Sequence, residues 1–152
     1  LPLFDTMHLT VFSDYTLRVL MYLALHRTRL ATIPEIAAAY DISENHLMKV
    51  VHRLARAGVV ESVRGKGGGI RLACAPEDIR LGAIVRASEG DAPIVECLSV
   101  DPRGCRIVSS CRLKRILVES FDALYDSLDR YTLADLVEQP RALRHALART
   151  PA

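Results

Sequence analysis

Three cysteines carry the clearest chemical signal in this sequence. Cys97, Cys105 and Cys111 lie in one polar stretch, separated by seven and then five residues. Thiolates are soft ligands that suit iron–sulfur clusters, zinc or Cu(I). The chain has no C-x2-C pair, which argues against a zinc ribbon and against the compact cysteine run of ferredoxins. We interpret the three thiols as ligands of a metal or cluster; the alternative is three unrelated thiols, one or two of them buried as small apolar side chains.

Three thiolates leave one metal position for a different ligand. No histidine lies between His52 and His145, so the fourth ligand is not a neighbour in the loop. A weak ligand at that position suits a cluster that must react, because exogenous molecules can displace it. The fourth cysteine, Cys74, ends a β-prone run between two alanines, and we predict that it packs in the core.

A second group of side chains could bind nucleic acid. Residues 41–71 hold six basic and three acidic side chains, although the formal net charge of the chain is only +2. The side chains expected to contact DNA are Asn45, His46, Lys49, Arg53, Arg56, Arg64 and Lys66. The first three lie near the N-terminal end of a predicted helix, where base edges are usually met. The next two suit phosphates, and the last two lie at a predicted hairpin tip that can reach phosphates or an adjacent minor groove.

Two helices and a hairpin are predicted to position these side chains. Thr32 and Glu35 form a capping box that begins a short helix running to about Tyr40, and Ser43 begins a third helix that ends near Gly58. Two β-prone runs, 59–63 and 70–74, flank a glycine-rich tip. This order is a winged helix-turn-helix pattern; the alternative is a solvated helix face beside a flexible hairpin. The tip is not a Walker A loop, because its first required glycine is replaced by Val60.

The remaining segments predict a mainly α protein with a small β-hairpin wing. A first helix carries an apolar stripe and is capped by Thr10 or Ser13, and a further helix spans about 81–88. A long helix from Cys111 bears a heptad-like seam of Leu117, Phe121, Leu124 and Leu128, which Tyr131 extends. We divide the chain into an N-terminal extension (1–6), a winged helix-turn-helix domain (7–90), a cluster-binding loop (91–111), a dimerisation helix with a short docking helix (112–138) and a C-terminal tail (139–152).

Composition excludes several classes of protein. With 152 residues, 50% of them hydrophobic and 25% charged, the chain can bury a globular core. No apolar stretch approaches the roughly 20 residues that cross a bilayer, and no secretory signal is recognised. We therefore expect a cytoplasmic protein in a reducing compartment, in which metal or redox use of cysteine outranks disulfides. No catalytic constellation is recognised, so an enzyme is not expected.

Four blocks of sequence resemble the iron–sulfur winged-helix regulators of bacteria, and in particular their nitric-oxide-sensing repressors. The resemblance covers Met7 to about Glu138. Its blocks are Met7–Arg18, Arg56–Val60 with Arg64–Leu72, Cys111–Lys114 and Tyr131–Glu138. In one branch of the family a histidine stands where this chain has Lys114, which argues against ligation by that histidine here.

The resemblance implies a homodimeric repressor with an iron–sulfur cluster, 4Fe–4S favoured and 2Fe–2S the alternative. It implies that Cys97, Cys105 and Cys111 hold the cluster and that Asp14 of the partner subunit is the fourth ligand; spacing alone would pair Asp14 with Arg18. Nitric oxide would react with the cluster by nitrosylation and release the operator DNA of nitric-oxide detoxification genes. The alternatives are a regulator of the same fold that senses redox or iron–sulfur status, an iron–sulfur electron-transfer protein, and a winged-helix module with structural zinc.

Overall fold

A computed structural model describes residues 9–90, 98 and 105–148. The predicted N-terminal extension and most of the predicted cluster-binding loop, including Cys97, lie outside these residues. The elements in chain order are α1 (Val11–Leu25), α2 (Ile33–Tyr40), α3 (Glu44–Arg56), β1 (Val60–Val63), β2 (Gly69–Leu72), a 3-10 turn (Pro76–Asp78), α4 (Leu81–Glu89), α5 (Arg112–Leu128), α6 (Leu133–Leu136) and α7 (Pro140–Ala148). The predicted fold class, mainly α with a hairpin wing, is confirmed.

The turn between α2 and α3 is built by local sequence signals. The Thr32 side chain accepts a hydrogen bond from the Glu35 amide at 3.3 Å, and the Glu35 carboxylate accepts one from the Thr32 amide at 3.1 Å, so the predicted capping box is present. Asp41 closes α2 in the left-handed conformation (φ 54°), which a short polar side chain tolerates. Ser43 is the N-cap of α3 as predicted, although its side chain makes no capping hydrogen bond.

Glu35 also connects the capping box to α1. Its carboxylate accepts hydrogen bonds from Arg29 at 2.7 Å and from the Tyr22 hydroxyl at 3.1 Å. Burial raises the pKa of the Glu35 carboxyl, but hydrogen bonds from Arg29, the Thr32 backbone and Tyr22 outweigh it and hold the pKa below its ordinary value. Glu35 is therefore a carboxylate, and its hydrogen bonds fix the start of α2 against α1.

The hairpin is attached to the helices through β2. β1 and β2 pair antiparallel, from Val60 opposite Leu72 to Val63 opposite Gly69. Ile70 pairs on its other side with Ala31, whose carbonyl accepts the Ile70 amide at 2.7 Å. This bridge fixes the base of the wing to the segment before α2.

The core lies where α1 crosses α2, α3 and the hairpin. Its fully buried side chains include Val19, Leu20, Ile36, Leu47 and Val50. Burying a side chain of this kind contributes about 1.5–3 kcal/mol. The core therefore holds α3 by one face and leaves its other face to solvent.

α4 and α5 approach each other closely at Gly82. A Cβ added at Gly82 would collide with the Tyr125 carbonyl oxygen and the Asp129 carboxylate. The same carboxylate accepts a hydrogen bond from the Ala83 amide at 2.9 Å, and the Arg86 guanidinium lies 4.3 Å from the centre of the Tyr125 ring. At Gly82 the backbones of α4 and α5 therefore lie directly against each other, and the side chains of Asp129 and Arg86 join the helices around this point.

The opposite face of α5 is not covered by any of the residues that the structure describes. None of the residues of α5 is buried, and Leu113, Ile116 and Leu124 are 58%, 48% and 40% exposed. The predicted seam follows this side of the helix, with Leu117 half-buried and Leu124 exposed. Monomeric proteins seldom expose a contiguous apolar face of this kind, so this face of α5 is a candidate contact surface for a second chain.

The chain after α5 returns to the helix-turn-helix domain, which we call the head. Leu133 in α6 is completely buried, its amide donates to the Ile79 carbonyl at 2.9 Å, and the Leu81 amide donates to the Tyr131 carbonyl at 3.1 Å. The segment predicted as a tail contains a further helix, α7, whose Arg144 donates to the Leu25 carbonyl at 2.7 Å. The C-terminal end of α5 is therefore connected to the helix-turn-helix domain.

The prediction that Cys74 is a core thiol is wrong. Its side chain is exposed. β2 ends at Leu72, so the inward and outward alternation of the strand does not continue to Cys74. The thiol therefore points away from the core.

Candidate functional site

The exposed face of α3 carries a row of polar and cationic side chains. Leu47, Val50, Val51 and Leu54 are buried and hold the other face against the core. Opposite them the exposed side chains are Asn45, Lys49, His52 and Arg56, at spacings of four, three and four residues. These spacings align side chains along one line of a helix. We call these four residues the α3 row.

His46 and Arg53 lie on the flank of α3 rather than in this row. His46 is half-buried, and its ring meets the Tyr15 ring edge-on with 4.8 Å between centroids. The Arg53 guanidinium lies 5.3 Å from the centre of the Phe12 ring, toward α1. Successive residues rotate by about 100° around a helix, and these two positions are displaced from the centre of the exposed face by almost a quarter turn. The predicted face is therefore rotated relative to the observed one.

Three exposed residues of α3, which are Glu44, Met48 and His52, are not among the predicted site residues. His52 lies inside the α3 row, and Met48, which is 54% exposed, lies beside it. The apolar spacing of Leu47, Val50 and Leu54 could have identified His52 from the sequence. These residues form the buried face, and the side of the helix opposite to them is the one that faces solvent. The predicted face is defined by its cationic residues and is therefore centred closer to Arg53.

The wing places Arg64 and Lys66 at an exposed tip, as the sequence predicts. Gly65 and Gly67 have φ values of 97° and 75°, a conformation that residues with a Cβ rarely adopt. A Cβ at Gly68 would collide with the Val63 carbonyl oxygen. The glycines thus allow a tight loop that presents two cations to solvent.

Asp14 lies in the first turn of α1 and is bound by Arg18. Its carboxylate receives the Arg18 Nη2 at 2.8 Å and Nε at 3.0 Å, and its side chain is 47% exposed. The Arg18 guanidinium lies 5.8 Å from the ring centres of both Tyr15 and Tyr40. Asp14 is therefore accessible at the surface and is linked through Arg18 and Tyr15 to the flank of α3.

The start of α1 is tied to the end of α4. Glu89 accepts hydrogen bonds from the Thr10 amide at 2.8 Å and the Thr10 hydroxyl at 3.1 Å, and it contacts the Ser13 hydroxyl. Thr10 is the N-cap of α1, which confirms one of the two predicted caps. The end of α4 therefore lies beside the turn that carries Asp14.

Cys105 and Cys111 are both free and half-buried. Cys111 is the N-cap of α5, and its side chain makes no capping hydrogen bond. Within residues 9–90, 98 and 105–148, no three His, Cys, Asp or Glu side chains come together as a metal site. The position of Cys97 stays a prediction, since it lies outside the described residues.

Comparison with known proteins identifies relatives over most of the chain. The profile of the Rrf2 family, described as an iron-dependent transcriptional regulator, matches residues 9–139. The HTH-type transcriptional regulator NsrR of Bacillus subtilis is 50% identical over 133 residues, which cover 87% of this chain and 91% of the relative. The regulator of the same name from Halalkalibacterium halodurans is 41% identical over 146 residues, which cover 95% of this chain and all of the relative (100%).

Solved structures of two regulators share the fold. CymR of B. subtilis, described as its global cysteine regulator, superimposes with a TM-score of 0.67 at 27% identity, covering 88% of this chain and 98% of that one. IscR of T. potens gives a TM-score of 0.69 at 27% identity, covering 87% of each chain. Among the helices that the structure describes, none is both long and apolar enough to cross a membrane.

Proposed function

This chain belongs to the Rrf2 family of iron-dependent transcriptional regulators, and from that membership we propose that it is a homodimeric repressor that holds an iron–sulfur cluster and releases DNA in response to nitric oxide. The observation that carries DNA binding is the α3 row, which is exposed on a helix-turn-helix followed by a wing with two exposed cations. A helix of this kind enters the major groove, where Asn45 and Lys49 can read bases, while Arg56, Arg64 and Lys66 contact phosphates.

The residues present fit an iron–sulfur cluster by their donor chemistry. Cys105 and Cys111 supply two free thiols, the donor type that holds iron–sulfur clusters in proteins. We propose that these two thiols, Cys97 and Asp14 of the partner subunit hold the cluster, 4Fe–4S favoured and 2Fe–2S the alternative. When bound, the cluster supplies iron sites that react with nitric oxide by nitrosylation.

Asp14 connects this site to the DNA-binding face. Its carboxylate is held by Arg18, so a ligand role requires at least one of its oxygens to leave the guanidinium. Arg18 lies against Tyr15, and Tyr15 contacts His46 on α3. If Asp14 exchanges Arg18 for another binding partner, Arg18 and Tyr15 can transmit the displacement to α3 by direct contact. This chain of contacts supports the coupling of ligand loss to DNA release.

The uncovered face of α5 supports the dimer. Its exposed Leu113, Ile116 and Leu124 would be buried against a second copy in a coiled-coil seam. A two-fold dimer sets the distance between two copies of α3, which then occupy two half-sites of a palindromic operator.

Titration of the anaerobically purified protein with nitric oxide tests the proposal. Its visible absorbance is followed together with its binding to a duplex that the protein has selected from a randomised pool. We expect a cluster absorption band that changes as the duplex is released. A colourless, zinc-loaded protein contradicts the proposal, and a coloured protein released by oxidants but not by nitric oxide favours a redox-sensing regulator.

The DNA face predicts a loss of salt dependence on substitution of its cations. Arg56→Ala and Lys66→Ala each remove one expected phosphate contact, so the slope of log affinity against log salt concentration should fall by about 0.9 in each variant. Fluorescence anisotropy over a range of salt concentrations measures the slope. Arg141→Ala, at an exposed position of α7, is the control and should leave it unchanged. Wild-type slopes in both variants would reject the assignment of this face.

A further inference from the structure

His52 is the one histidine in the α3 row. It is exposed, three residues after Lys49 and four residues before Arg56. Both spacings place side chains side by side on a helix surface. His52 therefore lies between the two cations of the row, on the surface that is expected to meet DNA.

We infer that His52 binds a DNA phosphate as an imidazolium, so that DNA binding by this protein takes up a proton at α3. The inference rests on the proposed DNA-binding function and adds to it a proton-dependent contact. It follows from the placement of His52 on the outward line of α3, whereas the ring of His46 is already packed against Tyr15.

The charges around His52 differ between the free and the bound protein. In the free protein the neighbours of His52 along the row are an ammonium group and a guanidinium group. Phosphates at the bound face add negative charge, and an imidazolium donates a charge-assisted hydrogen bond to a phosphate oxygen. Protonation is therefore favoured on docking at pH values where an imidazole is otherwise largely neutral.

The elements packed against α3 carry carboxylates that already have cationic partners. α1, α2 and β1 are the described elements that pack most extensively on α3. Their ion pairs are Asp14 with Arg18, Glu35 with Arg29 and Glu61 with Arg71, and on α3 itself Glu44 lies in the first turn, about two turns before His52. Since these carboxylates are engaged or distant along the helix, DNA phosphates are the anions that change the environment of His52.

Binding of the cluster-containing protein to a mixed-sequence duplex of about 40 base pairs, measured by anisotropy at about pH 6 and pH 8, tests the inference. We expect wild-type binding to be about three- to tenfold tighter at the lower pH, with a salt slope steeper by up to about 0.9. His52→Gln should retain the thermal stability of the wild type, because the site is exposed, and should lose the difference between the two pH values.

Two control variants identify the histidine responsible. His145→Gln, at an exposed position on α7, should keep the full pH dependence. If His52→Gln keeps the difference, or if His46→Gln removes it instead, the inference is overturned while DNA binding stands. If the wild-type protein binds no duplex at either pH, the proposed function fails and the inference fails with it.

Discussion

Cys111→Ser is expected to lower the iron content of the purified protein at least about tenfold and to remove its cluster absorbance. A serine hydroxyl stays protonated at neutral pH and is a hard donor, so it cannot replace a thiolate on iron. The substitution is favourable for the helix itself, because Cys111 is the N-cap of α5 and serine is a preferred N-cap residue. The expected loss is therefore one of ligation, and α5 should form as before.

Iron analysis and visible spectra of anaerobically purified protein measure this effect. Cys105→Ser should behave in the same way. Cys74→Ser is the matched control, since Cys74 is an exposed thiol that is not among the proposed ligands. Wild-type iron in Cys111→Ser, or loss of iron in Cys74→Ser, would show that the ligands have been assigned incorrectly.

Leu133→Ala should lower the free energy of unfolding by about 2–5 kcal/mol. Leu133 is completely buried where α6 packs on α1 and the 3-10 turn, so the substitution leaves a cavity in the core. Urea unfolding at one fixed protein concentration measures the change, because dimerisation makes stability depend on concentration. The variant should also bind DNA more weakly, since α6 fixes the C-terminal end of α5 to the head.

Leu124→Ala separates core packing from association. Leu124 is 40% exposed on the uncovered face of α5, so its truncation should change the unfolding of the single chain little and weaken self-association. Sedimentation velocity measures the second effect. A cost below about 1 kcal/mol for Leu133→Ala would contradict the role given to α6.

Local signals in the sequence were sufficient for much of the fold. The capping box at Thr32 and Glu35 places the start of α2 correctly, because both of its hydrogen bonds form within four residues. The glycine-rich tip between β1 and β2 is likewise a local requirement, imposed by positive φ at Gly65 and Gly67. The order of elements therefore followed from short-range chemistry.

Tertiary packing decided the features that the sequence did not indicate correctly. Which side of α3 faces solvent depends on which of its side chains the core buries. As a result, His46 lies against Tyr15 and His52 faces solvent. Cys74 follows the end of β2, and the strand length is set by pairing. Formation of α7 depends on docking, through Arg144 and the half-buried Leu147, rather than on a long apolar repeat.

The fourth ligand illustrates a different limit. Asp14 pairs with Arg18 within the chain, as its spacing suggests, and its proposed role as a ligand requires a second subunit. No periodicity within one sequence encodes such a contact, so only the resemblance to a family of regulators indicated it. The ligand set therefore stays a proposal that the cysteine and nitric oxide experiments address.

The close approach of α4 and α5 at Gly82 has a mechanical consequence. Because even a Cβ at Gly82 would collide with α5, and because α6 packs on α1 and the 3-10 turn, we expect α5 to move together with the DNA-binding domain. A helix of 17 residues is about 25 Å long, so a tilt of about 5° at one end moves the other by about 2 Å. In the proposed dimer α5 would act as a stiff lever that converts a small rotation between subunits into a mismatch with the spacing of successive major grooves.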